Sequence, residues 1–182
     1  MEEASDWKNK RQSLGSGKGV GVAGSMYITG TNYPIYPNEM PQAGIQIKVD
    51  RSGVVTVFSG ANDIGQGSSS MVAYVVAEEL GLTLDMLRVV AADTDLCPVD
   101  LGAYSSRVTF MVGNAAIDAS RKLRKLVVGS LAKHWDVEER RVRLVKGEAL
   151  DLEDPERHMT MAEAFQITEV EHDTLGATGS YN

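Results

Sequence analysis

The sequence predicts a mixed α/β (α+β) domain, a small mixed sheet with two main helices packed on it. Three observations predict it. Ile45, Ile47 and Val49 alternate with Gln46 and Lys48, the period of a half-buried strand. Val112, Ala116, Ala119, Leu123, Leu126, Val127 and Leu131 recur at the spacing of one helix face. The elements run strand-strand-helix-strand-helix-hairpin-helix, an order that places helices on one side of a sheet.

In chain order, Trp7-Lys8-Asn9-Lys10-Arg11 reads as the tail of a helix that begins upstream. Lys18 to Ile28 reads as a Gly-rich strand, where glycine marks close backbone approach. Pro34, Pro37 and Pro41 mark a loop. The strand at Ile45 turns at Asp50-Arg51-Ser52-Gly53 and returns as Val54 to Phe58, a hairpin. A polar loop, Ser59 to Gly67, precedes the apolar run Met71 to Ala77. Glu78-Glu79 and the stop at Gly81 favour a helix there over a strand. Leu87 to Val90 is a short strand, and Asp93 to Ser106 a second polar loop. The second helix runs from about Val108 to Trp135, with Asp118, Arg121, Lys122 and Lys125 on its wet face. Arg143 to Val145 and Ala149 to Asp151 form another hairpin, and Thr160-Met161-Ala162-Glu163 is a capping box opening a short helix. The polar, Gly-rich end, Thr174 to Asn182, closes no element on this reading, and both ends look cut from a longer polypeptide.

The chain has 182 residues, 43% hydrophobic and 24% charged, within the range of globular proteins. Its net charge of −7 disfavours a general nucleic-acid binder, which must neutralise phosphates. No apolar run is long enough to cross a membrane, and the acidic start Met1-Glu2-Glu3 carries no secretory pattern. The single cysteine, Cys97, can neither close an internal disulfide nor anchor a metal cluster, so a cytoplasmic, reducing location is expected.

Two motifs carry chemistry. Asn62-Asp63-Ile64-Gly65-Gln66-Gly67-Ser68 lies between a strand and a helix; its glycines allow close approach to a ligand, and the helix start offers free N–H groups to an anion. It lacks the third glycine of a dinucleotide fingerprint. Gly102-Ala103-Tyr104-Ser105-Ser106-Arg107-Val108-Thr109 opens the long helix, with two hydroxyls and a guanidinium suited to phosphate. Each alone also reads as a turn with an ordinary serine cap. Together, at one end of a continuous sheet, the two helix starts could share one diphosphate ligand. Asp93-Thr94-Asp95 with Asp100 matches no calcium loop and reads as an Asx turn. His134, His158 and His172 show no ligand spacing.

Asp63-Ile64-Gly65-Gln66-Gly67, Asp93-Thr94-Asp95 and Tyr104-Ser105-Ser106-Arg107-Val108-Thr109 with Gly113-Asn114-Ala115-Ala116, in this order, resemble the molybdenum-binding subunit of the xanthine dehydrogenase family. The form of the Ser-Ser-Arg motif is closest to the alpha subunit of 4-hydroxybenzoyl-CoA reductase. The resemblance implies that residues 1–182 are part of a larger molybdopterin-binding domain, incomplete at both ends. It implies a molybdopterin cofactor, as a cytosine dinucleotide, with molybdenum. It implies iron–sulfur clusters and FAD on partner subunits, and a small aromatic, N-heterocyclic or acyl-CoA substrate. Gly65, Gln66 and Gly67 would contact the cofactor; Ser105, Ser106 and Arg107 would hold its phosphates; Tyr104, Val108 and Thr109 would flank it through backbone contact. The family's catalytic glutamate has no counterpart here, since Gly147-Glu148 falls in a hairpin at the wrong place in the family order. The chain alone is therefore expected to be inactive, to need the rest of the molybdenum subunit, and to self-associate through exposed apolar surface. A stand-alone nucleotide- or protein-binding module is the alternative.

Overall fold

The computed structural model describes residues 2–30 and 42–182. Two sheets and two long helices make the core, so the mixed α/β expectation holds. β1 (Ala43–Val49) and β2 (Val55–Ser59) form the predicted antiparallel hairpin, in which Ile45, Ile47 and Val49 face Ser59, Val57 and Val55. β2 then passes through α3 (Ser68–Leu80) into β3 (Leu87–Ala91), which pairs with it in parallel. Ahead of these lie two short helices, α1 (Glu2–Ser5) and α2 (Trp7–Ser13).

A turn of π-helix, Val108–Val112, leads into α4 (Gly113–Trp135). Most of the helical stripe lands where predicted: Val112, Ala116, Ala119, Leu123, Val127 and Leu131 are fully buried, while Leu126 is only half-buried. α3 and α4 run parallel. Met71 in the first turn of α3 lies against Gly113 at the start of α4, and Glu79, two turns on, pairs with Arg121 at 3.1 Å. Both helix starts thus point to one end of the sheet.

The second sheet is an antiparallel meander, β4 (Val142–Val145), β5 (Glu148–Asp151) and β6 (Asp154–Thr160), followed by α5 (Met161–His172). The capping box is present: Thr160 N–H donates to Glu163 at 2.9 Å and Glu163 N–H donates to Thr160 Oγ1 at 3.3 Å.

Three expectations are corrected. The polar end does close an element: β7 (Gly176–Tyr181) pairs antiparallel with β1, giving the order β3-β2-β1-β7. Its glycine is the reason it fits. A side chain at Gly179 would stand 2.1 Å from Ala115 O on α4, so only a bare backbone lets strand and helix meet there. β6 went unread because Pro155 and three charged residues, Asp154, Glu156 and Arg157, break the strand alternation. Residues 18–28 form no strand: Val22, Met26 and Tyr27 are exposed, and without a ladder partner an extended segment is no strand. The segment joins the fold at Gly30, whose N–H donates to Ser105 O at 3.1 Å. Pro34, Pro37 and Pro41 lie outside the described residues.

Candidate functional site

β2 and β3 end side by side, Ser59 opposite Ala91, so both polar loops leave the sheet at the same end. They touch: a side chain on Gly60 would collide with Pro98 O at 2.2 Å. A cleft of about 350 Å³ lies between them, lined by Asn62, Asp93, Thr94 and Cys97 among others. Carboxyl ends of parallel strands, with helix starts beside them, are where ligands bind in open α/β sheets. The structure therefore brings the two sequence motifs to one end of the fold.

The first motif is a self-satisfied turn. Gly65 (φ +100°) and Gly67 (φ +80°) take the left-handed backbone, and the space where their side chains would stand is open. Gln66 folds back on the loop: Oε1 accepts from Ile64 N–H at 2.6 Å and Nε2 donates to Asn62 O at 2.9 Å. Asp63 accepts from the N–H groups of Gly65, Gly67 and Ser69 at 3.0, 3.2 and 3.3 Å. The Gly65 amide, then those of Ser69 and Gly67, hold its carboxyl below the ordinary aspartate range. The expectation of an open anion seat at this helix start is corrected, because a protein carboxylate already occupies it. An aspartate two residues before Gly65 is an Asx-turn signal that could have shown this.

The second motif is different. Ser105 (φ +50°) and Ser106 (φ +49°) are consecutive left-handed residues, each costing about 1–2 kcal/mol in a side-chain-bearing residue. The turn is closed by Arg107 N–H to Tyr104 O at 3.0 Å. The side chains at the two N-cap positions of the helix that starts here, Arg107 and Val112, make no capping hydrogen bond. Among the described residues no carboxylate accepts from its first N–H groups, in contrast to α3. Tyr104, Ser106 and Thr109 are exposed, Ser105 is half-buried, and Val108 faces the core and can offer only backbone.

Arg107 departs most from expectation. Its guanidinium is turned inward, with no exposed surface, and Nη1 donates to Asp100 Oδ1 at 2.8 Å and to Gly102 O at 2.9 Å, while Nη2 donates to Gln42 O. A guanidinium offered to an outside phosphate is not what the fold presents, because Asp100 and two carbonyls claim it. Sequence reading missed Asp100 and Gln42 as its partners; nothing local links residue 42 to residue 107. Asp93 accepts from the N–H groups of Asp95 and Leu96 at 2.9 and 3.1 Å, the Asx turn expected. Among the described residues no cluster of His, Cys, Asp or Glu could hold a metal ion, and no helix is long and apolar enough to cross a membrane. Among the polar loop residues around the site, the large apolar side chains of Ile64, Leu96, Val99 and Phe110 are also exposed.

Comparison with known proteins agrees with the motifs. A family model described as "Molybdopterin cofactor-binding domain" matches residues 1–182. The xanthine dehydrogenase molybdenum-binding subunit of Escherichia coli O157:H7 is 30% identical over 83% of this chain and 20% of its own length. The carbon monoxide dehydrogenase large chain of Afipia carboxidovorans is 31% identical over 65% of this chain and 15% of its own. Among solved structures, reconstituted CO dehydrogenase from Oligotropha carboxidovorans aligns with TM-score 0.67 and 26% identity, over 76% of this chain and 18% of that one. Quinoline 2-oxidoreductase from Pseudomonas putida 86 shares the fold, with TM-score 0.68 at 22% identity, over 78% of this chain and 19% of its own. The chain spans about a fifth of the length of these relatives.

Proposed function

Because the chain belongs to the molybdopterin cofactor-binding domain family, we propose that the end of the sheet where β2 and β3 terminate holds the phosphorylated part of a molybdopterin cofactor. The observation that carries this reading is the contrast between the two helix starts. α3 is capped by Asp63, whereas among the described residues no carboxylate caps the helix that follows Ser106, and 28 residues from Val108 to Trp135 stand behind it. An anion set against the N–H groups of Ser106, Val108 and Thr109 would meet the dipole end of that helix, with the Ser105 and Ser106 hydroxyls beside it. The open space over Gly65 and Gly67 would admit the flat part of the ligand, and the Gln66 amide would turn outward or stay as a spacer.

When bound, molybdopterin supplies the redox chemistry through molybdenum, and the protein supplies position and electrostatics. The residues here would bind and orient the group. On this reading the chain is part of a molybdenum-dependent hydroxylase or dehydrogenase subunit, of the kind its relatives represent. The dinucleotide form, iron–sulfur and FAD partners and a small aromatic, N-heterocyclic or acyl-CoA substrate belong to the same proposal. The exposed Ile64, Leu96, Val99 and Phe110 would pack against the rest of that subunit.

Ser106→Asp in the full-length subunit tests the reading. The new carboxylate would cap the helix and leave stability unchanged or slightly higher. It would also repel phosphate, so molybdenum and pterin content, by metal analysis and mass spectrometry, falls at least about tenfold, on the order of 1.4 kcal/mol or more. Full cofactor content in a folded Ser106→Asp protein refutes the assignment. Absence of molybdenum and pterin from the native parent protein refutes the function as a whole.

A further inference from the structure

We propose that Arg107 is a positioning residue rather than a phosphate ligand, and that with Asp100 it forms a buried strut fixing the left-handed Ser105–Ser106 turn. The inference rests on reading that turn as part of the cofactor site. The side chains of Arg107 and Asp100 are essentially without exposed surface and meet at 2.8 Å. The planar fork of Arg107 joins three segments distant in sequence: the lead-in to β1 through Gln42 O, the crossing loop through Gly102 O and Asp100, and the start of the long helix. Asp100 in turn accepts from Gly102 N–H at 2.8 Å, so the carboxylate braces the same loop.

Stability alone is a poor account of this pair. Desolvating two charges offsets most of their attraction, and an apolar pair of similar volume commonly does as well. The cluster is also incompletely satisfied, since Arg107 Nε, Asp100 Oδ2 and Gln42 Oε1 have no hydrogen-bond partner among the described residues. What the pair supplies is geometry. Ser105 and Ser106 hold a backbone conformation that such residues avoid, directly beside the fully buried Arg107. Gly30 N–H braces the turn at Ser105 O from outside, and the strut anchors it from within. A lysine at 107 would keep the charge but could not reach all three segments at once.

The test uses the full-length subunit with its cofactor supply, reading melting temperature, molybdenum and pterin content, and protease cleavage within residues 101–107. The double variant Asp100→Leu with Arg107→Met removes the charges while keeping volume. It is expected to melt within a few degrees of the wild type, yet to lose cofactor about ten- to hundredfold and to be cleaved faster in the turn, the range seen when a supporting group is removed. Arg107→Lys and Asp100→Asn are expected to lose cofactor as well. A direct phosphate ligand predicts the opposite for Asp100→Asn, unchanged or improved retention, because a competing negative charge is gone. Full cofactor content in the double variant, or in Arg107→Lys should the double variant not fold, overturns the proposal. A wild-type subunit without pterin would instead refute the underlying site assignment and leave the strut visible only in the cleavage pattern.

Discussion

Replacing Gly179 with alanine tests the contact on which the larger sheet and the long helix meet. The added methyl would stand 2.1 Å from Ala115 O, 2.4 Å from Ala119 N and 2.9 Å from Ala119 Cβ, where ordinary contact begins near 3.4 Å. None of these atoms can rotate away, because two are main chain and the third is fixed to it. β7 and α4 must separate by about 1 Å, which forfeits a quarter to a half of the dispersion energy along the seam. Overpacking a core costs about 1–3 kcal/mol, occasionally more, and a clash with backbone belongs at the upper end, about 3 kcal/mol. At about 2–4 °C per kcal/mol for a domain this size, melting should fall by about 6–12 °C. Urea unfolding of the purified chain reads the same quantity. Gly113→Ala is the control: its methyl would meet nothing closer than Met71 Sδ at 3.7 Å, and the gain in helix propensity predicts a stabilisation of up to about 1 kcal/mol. A Gly179→Ala protein within about 0.5 kcal/mol of wild type would refute the packing described for β7, well inside the effect expected of overpacking.

Leu123→Ala, at a fully buried position on α4, should cost about 2–5 kcal/mol by urea denaturation; a loss under about 1 kcal/mol would mean the stripe is not core. Thr160→Ala removes the acceptor of the capping box and should cost about 1 kcal/mol, with no change in the denaturant slope if only the cap is lost. Asp63 carries a folded-state pKa below its unfolded one, so its contribution is fully present above the unfolded value and is lost as pH falls through the folded value. The amide resonances of Gly65, Gly67 and Ser69 should therefore titrate together, with a midpoint below the ordinary aspartate range. A midpoint at or above that range would show that the three hydrogen bonds are not formed in solution.

Local signals in the sequence translated well into structure. The β1–β2 hairpin, α3, β3, α4 and the capping box at Thr160 each rest on periodicity or cap chemistry within a few residues, and each is present. What failed depended on partners far away. β7 is unremarkable as sequence and becomes a strand because β1 and the glycine-sized gap under α4 receive it. Residues 18–28 have strand-like alternation and no ladder to join. At the site, the position of Gly-Gln-Gly and Ser-Ser-Arg at one end of the fold followed from the order of elements. The orientation of Arg107 did not, since its neighbours Gln42 and Asp100 come from other segments. Asp63 was legible in principle, and its competition with a ligand for the same amides was overlooked.

The pairing of β1 with β7 has a consequence for how the chain acquires its structure. Ala43 lies opposite Tyr181, so the larger sheet cannot be completed until β7, far along the sequence from β1, has also left the ribosome. The hairpin, the parallel β2–β3 unit and the second sheet close over short separations and can assemble early. Until β7 arrives, the small residues Ala115 and Ala119 on α4 and the open edge of β1 stay uncovered. Long-range closure of this kind slows folding and leaves a sticky edge in the meantime. β7 thus acts as a latch on elements that close earlier, and the interval before it pairs is when this segment is most open to aggregation or to a chaperone.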